Sequence, residues 1–173
     1  MATANDKLQD ESIAHAIWIA RYSTSVANRM IKILNDSDAE LTARLLVAMD
    51  SLDAESSTVS RLEALLVSVR ALNRESVQSM YAGLSDELQQ LAQHEAGFQL
   101  SLFQFAIPDD VLSLHPLVGI SPDAVYATAM AQPFQGRLLS EWADNLEADR
   151  MARISNTVRQ GFLLGDTHEQ IAR

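Results

Sequence analysis

The sequence predicts an all-α protein: an elongated bundle of long amphipathic helices with coiled-coil-like packing and one irregular Pro/Gly connector. Three observations carry that expectation. Apolar residues recur with alternating steps of four and three over long stretches, the period of a helix face packed on a neighbour. Glycine and proline are scarce, at 6 and 4 in 173 residues, so few sharp turns are available. From Thr58 to Phe105 there is no proline at all, so nothing forbids a continuous helix.

Residues 1–10 are polar and acidic and read as a flexible N-terminus. They lack the basic start and apolar core of a signal peptide. A long-helix bundle is expected over 11–106. Its first tract runs from about Glu11 to Leu34, with Ile13, Ile17, Ala20, Thr24, Ala27, Ile31 and Leu34 as a heptad seam. Trp18, Ile19, Tyr22, Val26 and Met30 widen the apolar face, as on a helix with more than one neighbour. Asn35–Asp38 is predicted to break the helix, with Ser37 capping a second one and Glu40 completing a capping box. That second helix covers Asp38 to Ser51, with Leu41, Leu45, Val47 and Ala48 inward, and Asp53–Ser57 is a polar break.

The third tract, Thr58 to Phe105, opens with Val59, Leu62, Leu66 and Val69. After a shift near Arg74 a second stripe takes over: Val77, Tyr81, Leu84, Leu88, Leu91, Glu95, Phe98, Leu102 and Phe105. Such a shift alters coiling or bends a helix, and Gly83 marks where a kink or break would fall. At about 1.5 Å per residue the tract would extend roughly 70 Å.

Residues 107–136 form the connector. Pro108, Pro116 and Gly119 punctuate it, and Ser121 caps a short helix with Pro122 in the favoured first position. Pro133–Gly136 is a turn. A C-terminal helical segment, 137–173, presents Leu138, Trp142, Leu146, Ile154, Val158 and Phe162 on one face, and Gly165 ends its main helix near Leu164. Thr167 and Gln170 make another capping box. The helix they open is cut short at Arg173, which predicts that the natural protein continues.

The net charge is −10, and the basic residues are dispersed. Phosphate binding needs clustered Lys and Arg, so neither direct nucleic-acid binding nor docking on anionic membranes is expected. With no cysteine, disulfides and thiolate metal sites are excluded. No apolar stretch approaches the ~20 residues that span a bilayer.

No nucleophile elbow, P-loop or dinucleotide fingerprint occurs, so no catalytic residue, cofactor or metal is expected. The four histidines show no metal-ligand spacing; His94 is read as pointing away from Glu95, and each His as a surface or packing residue. Glu95 stands in an apolar seam. Either it fixes register through a buried contact to an Arg or His on another helix, or the seam opens and solvates it. Glu147–Arg150 and Asp149–Arg153 read as ion pairs along one solvated helix face, with an interface rim as the alternative. Trp18, Tyr22, Phe134 and Trp142 are packing or interface anchors. Trp142 is expected in the core and Phe134, in its turn, on a partner.

The run from Arg153 to Arg173, with Arg153, Ile154, Val158, Arg159, Gly161, Gly165, Asp166, Thr167, Gln170, Ile171 and Ala172, resembles a recurring stretch of phage head morphogenesis proteins, the Mu F-like minor head proteins. Pro133, Phe134, Gly136, Leu139 and Trp142 are similar to the P-F-x-G-x-x-L-x-x-W element of podovirus-type members. The run Leu84, Glu87, Leu88, Leu91, Ala92, Glu95 and Ala96 is also similar to members of that group. The resemblance implies a minor virion protein inside the phage head near the portal vertex, present in the host cytoplasm during assembly. It further implies a part in head assembly or genome ejection. Portal protein, other internal head proteins, or copies of itself in a ring would be its partners, with no membrane in the assembled state. This chain would be the N-terminal helical portion. A cytoplasmic helical adaptor and the docking arm of an enzyme with a further C-terminal domain are the alternatives.

Overall fold

The structure, a computed structural model, describes residues 4–50, 58–166 and 168–171. Among them stand six helices and no named strand: α1 (Ala4–Asp50), α2 (Thr58–Ala106), α3 (Asp109–Leu114), α4 (Pro122–Ala131), α5 (Leu139–Leu164) and α6 (His168–Ile171). The all-α class is as the periodicity dictates. None of the helices is long and apolar enough to cross a membrane.

Several elements fall where the sequence puts them. Helix α2 is unbroken through Gly83 and ends one residue past Phe105. Pro122 opens α4 behind Ser121, although the Ser121 side chain makes no cap hydrogen bond. In the turn, Gln135 and Gly136 both have positive φ (49° and 80°), and Phe134 and Arg137 exchange backbone hydrogen bonds of 2.9 and 3.2 Å across it. That is the backbone twist of a two-residue hairpin. Gly165, with φ 72°, ends α5: Asp166 N–H donates to Gly161 O and Gly165 N–H to Phe162 O. This double closure satisfies the last carbonyls of the helix. The expected break at Asp53–Ser57 and the Thr167 cap lie outside the described residues.

Two expectations for α1 are corrected. Helix α1 starts at Ala4 and runs through Asn35–Asp38 without a break, so Ser37 caps nothing. Spaced four apart, Lys32–Asp36 and Glu40–Arg44 pair along the helix surface and support it there. The seam of α1 is also one face over. Ile13, Ile17 and Ile31 are about half exposed (52, 49 and 53%), whereas His15, Ile19, Tyr22, Val26, Met30, Ile33, Ser37, Leu41 and Leu45 turn inward.

The chain divides into two compact units, and both long helices pass through each: Met1–Arg29 with Gly83–Leu138, and Met30–Ala82 with Leu139–Arg173. In the second unit Leu41, Leu45, Leu65, Leu66, Val69, Leu72, Met151, Val158 and Ile171 form one aliphatic core. Beside it lies a polar layer. Arg150 donates to Ser37 Oγ (3.2 Å) and pairs with Asp38; Ser37 meets Ser76 Oγ at 2.5 Å; Ser76 donates to Leu72 O. Asn73, fully buried, donates to Glu147 O, while Arg74 pairs with the Glu147 carboxylate. Glu147 and Arg150 therefore reach other helices rather than forming the expected pair along α5. The first stripe of α2 extends from Leu62, Leu66 and Val69 into buried Asn73 and Ser76, and the expected second stripe then takes over, with Val77 and Leu102 buried and Tyr81, Leu84, Leu88, Leu91, Glu95 and Phe98 half-buried.

Candidate functional site

The first unit pairs the N-terminal half of α1 with the C-terminal half of α2, running antiparallel. Beside aliphatic inward residues such as Ile19, Val26, Leu84, Leu88, Ala92 and Leu102, it carries a row of rings. His15, Trp18 and Tyr22 occupy successive turns of α1, and His94 and Phe98 successive turns of α2. Their five rings form one stack of near-parallel planes. His15 lies 3.7 Å from Phe98 between centroids, at 11° between planes. Trp18 lies 4.0 Å from His94 at 14°, and Tyr22 continues the stack 5.2 Å from Trp18. The two imidazoles are 5.6 Å apart and within 5° of parallel.

Two polar clusters close the flanks of this stack. At one end Glu87 of α2 takes two donors from α1. Tyr22 O–H donates to Glu87 Oε2 at 2.6 Å, with the Glu87 carbonyl also within reach at 3.0 Å, and Arg29 pairs with Oε1 at 2.6 Å. Burial, and then the bond to Glu87, push the Tyr22 hydroxyl up to about 12. The Tyr22 hydrogen bond, reinforced by Arg29, holds the Glu87 carboxyl below its usual range.

At the other end Glu95 Oε1 meets His15 Nε2 at 2.6 Å, across the two helices. Glu95 thus has the interhelical histidine partner that was one of its two expected states, and it is half-buried. His94 does not point away. One ligand atom each from His15, His94 and Glu95 lies within 4.8 Å of the other two. The sequence shows no metal-ligand spacing among its histidines, and this cluster is assembled across two helices instead. Local spacing could not show it, because His15 and Glu95 stand 80 positions apart. Two imidazoles and a carboxylate are a donor set that a divalent transition metal accepts.

Glu95 also borders an apolar groove of about 360 Å³ between α2 and the connector, lined by Ala96, Leu100, Phe103, Leu117, Val118 and Ile120 among others. Gly119 lets the connector lie close there; a Cβ on it would stand 3.2 Å from Leu100 Cδ2. Ser85 Oγ and Tyr126 OH, 2.6 Å apart, hold α4 to α2.

Of the five residues singled out in the sequence, the fold brings Trp18, Tyr22 and Glu95 into one site. Phe134 is exposed at the hairpin turn, and Trp142 is half-buried on α5 rather than part of the aliphatic core. His15, His94, Glu87 and Phe98 complete the site; Phe98 stands in the second apolar stripe of the sequence, and no local pattern marks a role in the site for the other three. No protein-family model, curated protein or solved structure matches the chain.

Proposed function

We propose that the chain is a structural, non-catalytic subunit of a tailed-phage particle: a minor head protein inside the head, at or near the portal vertex, that assists head assembly or genome ejection through helix-mediated contacts. The observation that supports this mode of action is the stripe Ile13, Ile17, Ala20, Thr24 and Ala27. It keeps the four-three spacing of a packed helix seam, yet every member is exposed on the chain's own fold. Covering such a stripe with a helix of another protein removes apolar surface from water at about 25 cal/mol per Å². The resemblance of 133–173 to Mu F-like proteins supplies the phage context. The net charge of −10 disfavours packaged DNA as the anchor and favours protein contacts.

Mass spectrometry of purified particles, before and after DNA release, tests the reading. The chain should be present before release, in a copy number that fits a portal ring. An Ile13→Glu/Ile17→Glu variant should be excluded from particles while circular dichroism stays unchanged. Absence of the chain from particles, or unimpaired incorporation of the double variant, would overturn it. A full-length product that is monomeric in isolation and bound to a soluble host protein would favour the adaptor instead.

A further inference from the structure

We propose that His15, His94 and Glu95 form a three-ligand site for a borderline divalent metal of the Zn²⁺ class, which ties α1 to α2 within the first unit. The argument begins with donor chemistry. Two neutral imidazoles and one carboxylate are a set that zinc takes with a fourth position left open, and imidazole donors suit zinc and its first-row neighbours over Mg²⁺ or Ca²⁺.

Geometry comes next. Tetrahedral zinc, with bonds of about 2.0–2.1 Å, places its ligand atoms roughly 3.4 Å apart. The three donor atoms already lie within 4.8 Å of one another. His15 Nε2 and Glu95 Oε1, at 2.6 Å, need to separate by less than about 1 Å to reach the ligand spacing. Two imidazoles on one tetrahedral ion have ring centres roughly 5 Å apart, and those of His15 and His94 stand at 5.6 Å.

The surroundings supply the third strand. Phe98 lies flat against the His15 ring and Trp18 flat against that of His94, so both ring planes are held before an ion arrives. Ligands oriented in advance bind more tightly than free side chains. His94 is exposed, so the site is reached from solvent without opening the helix pair.

The test is calorimetric titration of Zn²⁺ into the full-length chain, free of any polyhistidine tag and stripped with chelator. One ion per chain should bind and raise the melting temperature. His94→Gln, at an exposed position, should weaken binding by at least roughly 100-fold, beyond what loss of a ligand's hydrogen-bond partner alone does. Glu95→Gln should weaken it too, while its neutral amide still hydrogen-bonds His15, separating loss of a ligand from loss of that bond. His115→Gln should bind like the parent. Should a variant lose helicity, imidazole proton resonances of the parent decide: Zn²⁺ must shift those of His15 and His94 and leave His115 unmoved. Absence of saturable binding overturns the proposal, as does parental affinity in both ligand variants or a shift confined to other histidines. Those outcomes would leave the cluster as an interhelical hydrogen bond beneath stacked rings. Particle incorporation is read separately, so either conclusion can fail without the other.

Discussion

The two units use the same two long helices and hold them together by different means. In the second, nine aliphatic and thioether side chains from α1, α2, α5 and α6 share one core, and Val158 keeps only 1% of its surface exposed. In the first, the buried apolar set among the described residues is Val26, Ala92, Ala96 and Leu102, with Ile19, Leu84, Leu88 and Leu91 half-buried, and stacked rings and two carboxylates add to the contact between helices. Apolar burial is non-directional and scales with area; ring stacking and hydrogen bonds depend on geometry. The second unit is therefore built for stability. The first is built for a defined arrangement of polar groups, and it carries the exposed stripe and the apolar groove.

The widest separation between the units should appear in core truncation. Leu65→Ala removes a buried side chain from the aliphatic core and should cost about 2–5 kcal/mol, set by how far the site collapses. Hydrogen exchange should place the slowest amides of the parent around Leu65–Leu72 and Met151–Val158, and Leu65→Ala should speed these most. Slower exchange around His15–Val26 than around Leu65–Leu72 would break the contrast.

A smaller effect is expected at Gly161. It is buried inside α5, and a Cβ there would stand 2.3 Å from Ile171 Cγ1. Gly161 is thus the point where α6 closes on α5. Gly161→Ala should gain helix propensity of up to about 1 kcal/mol and lose roughly 1–3 kcal/mol from overpacking and displacement of Ile171. The net result is a modestly lowered melting temperature with new exposure of α6, read as faster proteolysis after residue 165. A variant melting higher, with α6 still protected, would show that Ile171 can move aside without cost.

These cases also show what was legible in the sequence. The extents of α2, α4 and α5 could be read because proline, glycine and long four-three stripes are local signals. The break assigned to Asn35–Asp38 was wrong because four polar residues read as solvated, whereas Ser37 faces Ser76 and Arg150 from other helices. The same polar layer hid the extension of the first α2 stripe through Asn73 and Ser76, before the stripe from Val77 takes over. On α1, the more regular apolar stripe, Ile13–Ile17–Ile31, reads as the packed one; the fold turns inward the stripe carrying His15 and Tyr22, whose partners on α2 no local window contains. Glu95 was visible because a carboxylate in an apolar seam needs a partner, but which histidine answered it depended on the pairing of two helices far apart in sequence.

The subtlest contrast is in pH dependence, and it belongs to the first unit through Tyr22 and Glu87. The fold raises the Tyr22 hydroxyl from 10.0 to about 12, so folding favours its protonated form. That stabilisation is complete below pH 10 and is lost as pH rises from 10 through 12. For Glu87 the shift is downward from 4.5; its contribution is present above about that pH and is lost as pH falls through the lower folded value. Tyr22→Phe keeps the ring in the stack and removes one donor, while Arg29 still pairs with Glu87. The variant should be less stable by about 1 kcal/mol at pH 7, the scale of a single hydrogen bond. Its deficit relative to the parent should shrink as pH climbs from 10 toward 12. On the acid side the deficit should also narrow, since Tyr22 is the largest cause lowering Glu87, though Arg29 keeps part of the acid dependence in both proteins. Chemical denaturation at pH 3 to 11.5 measures the difference curve. A deficit that stays constant across that range would mean the hydroxyl contributes packing alone. The bond between Tyr22 and Glu87 would then drop out of the account of how the first unit is held.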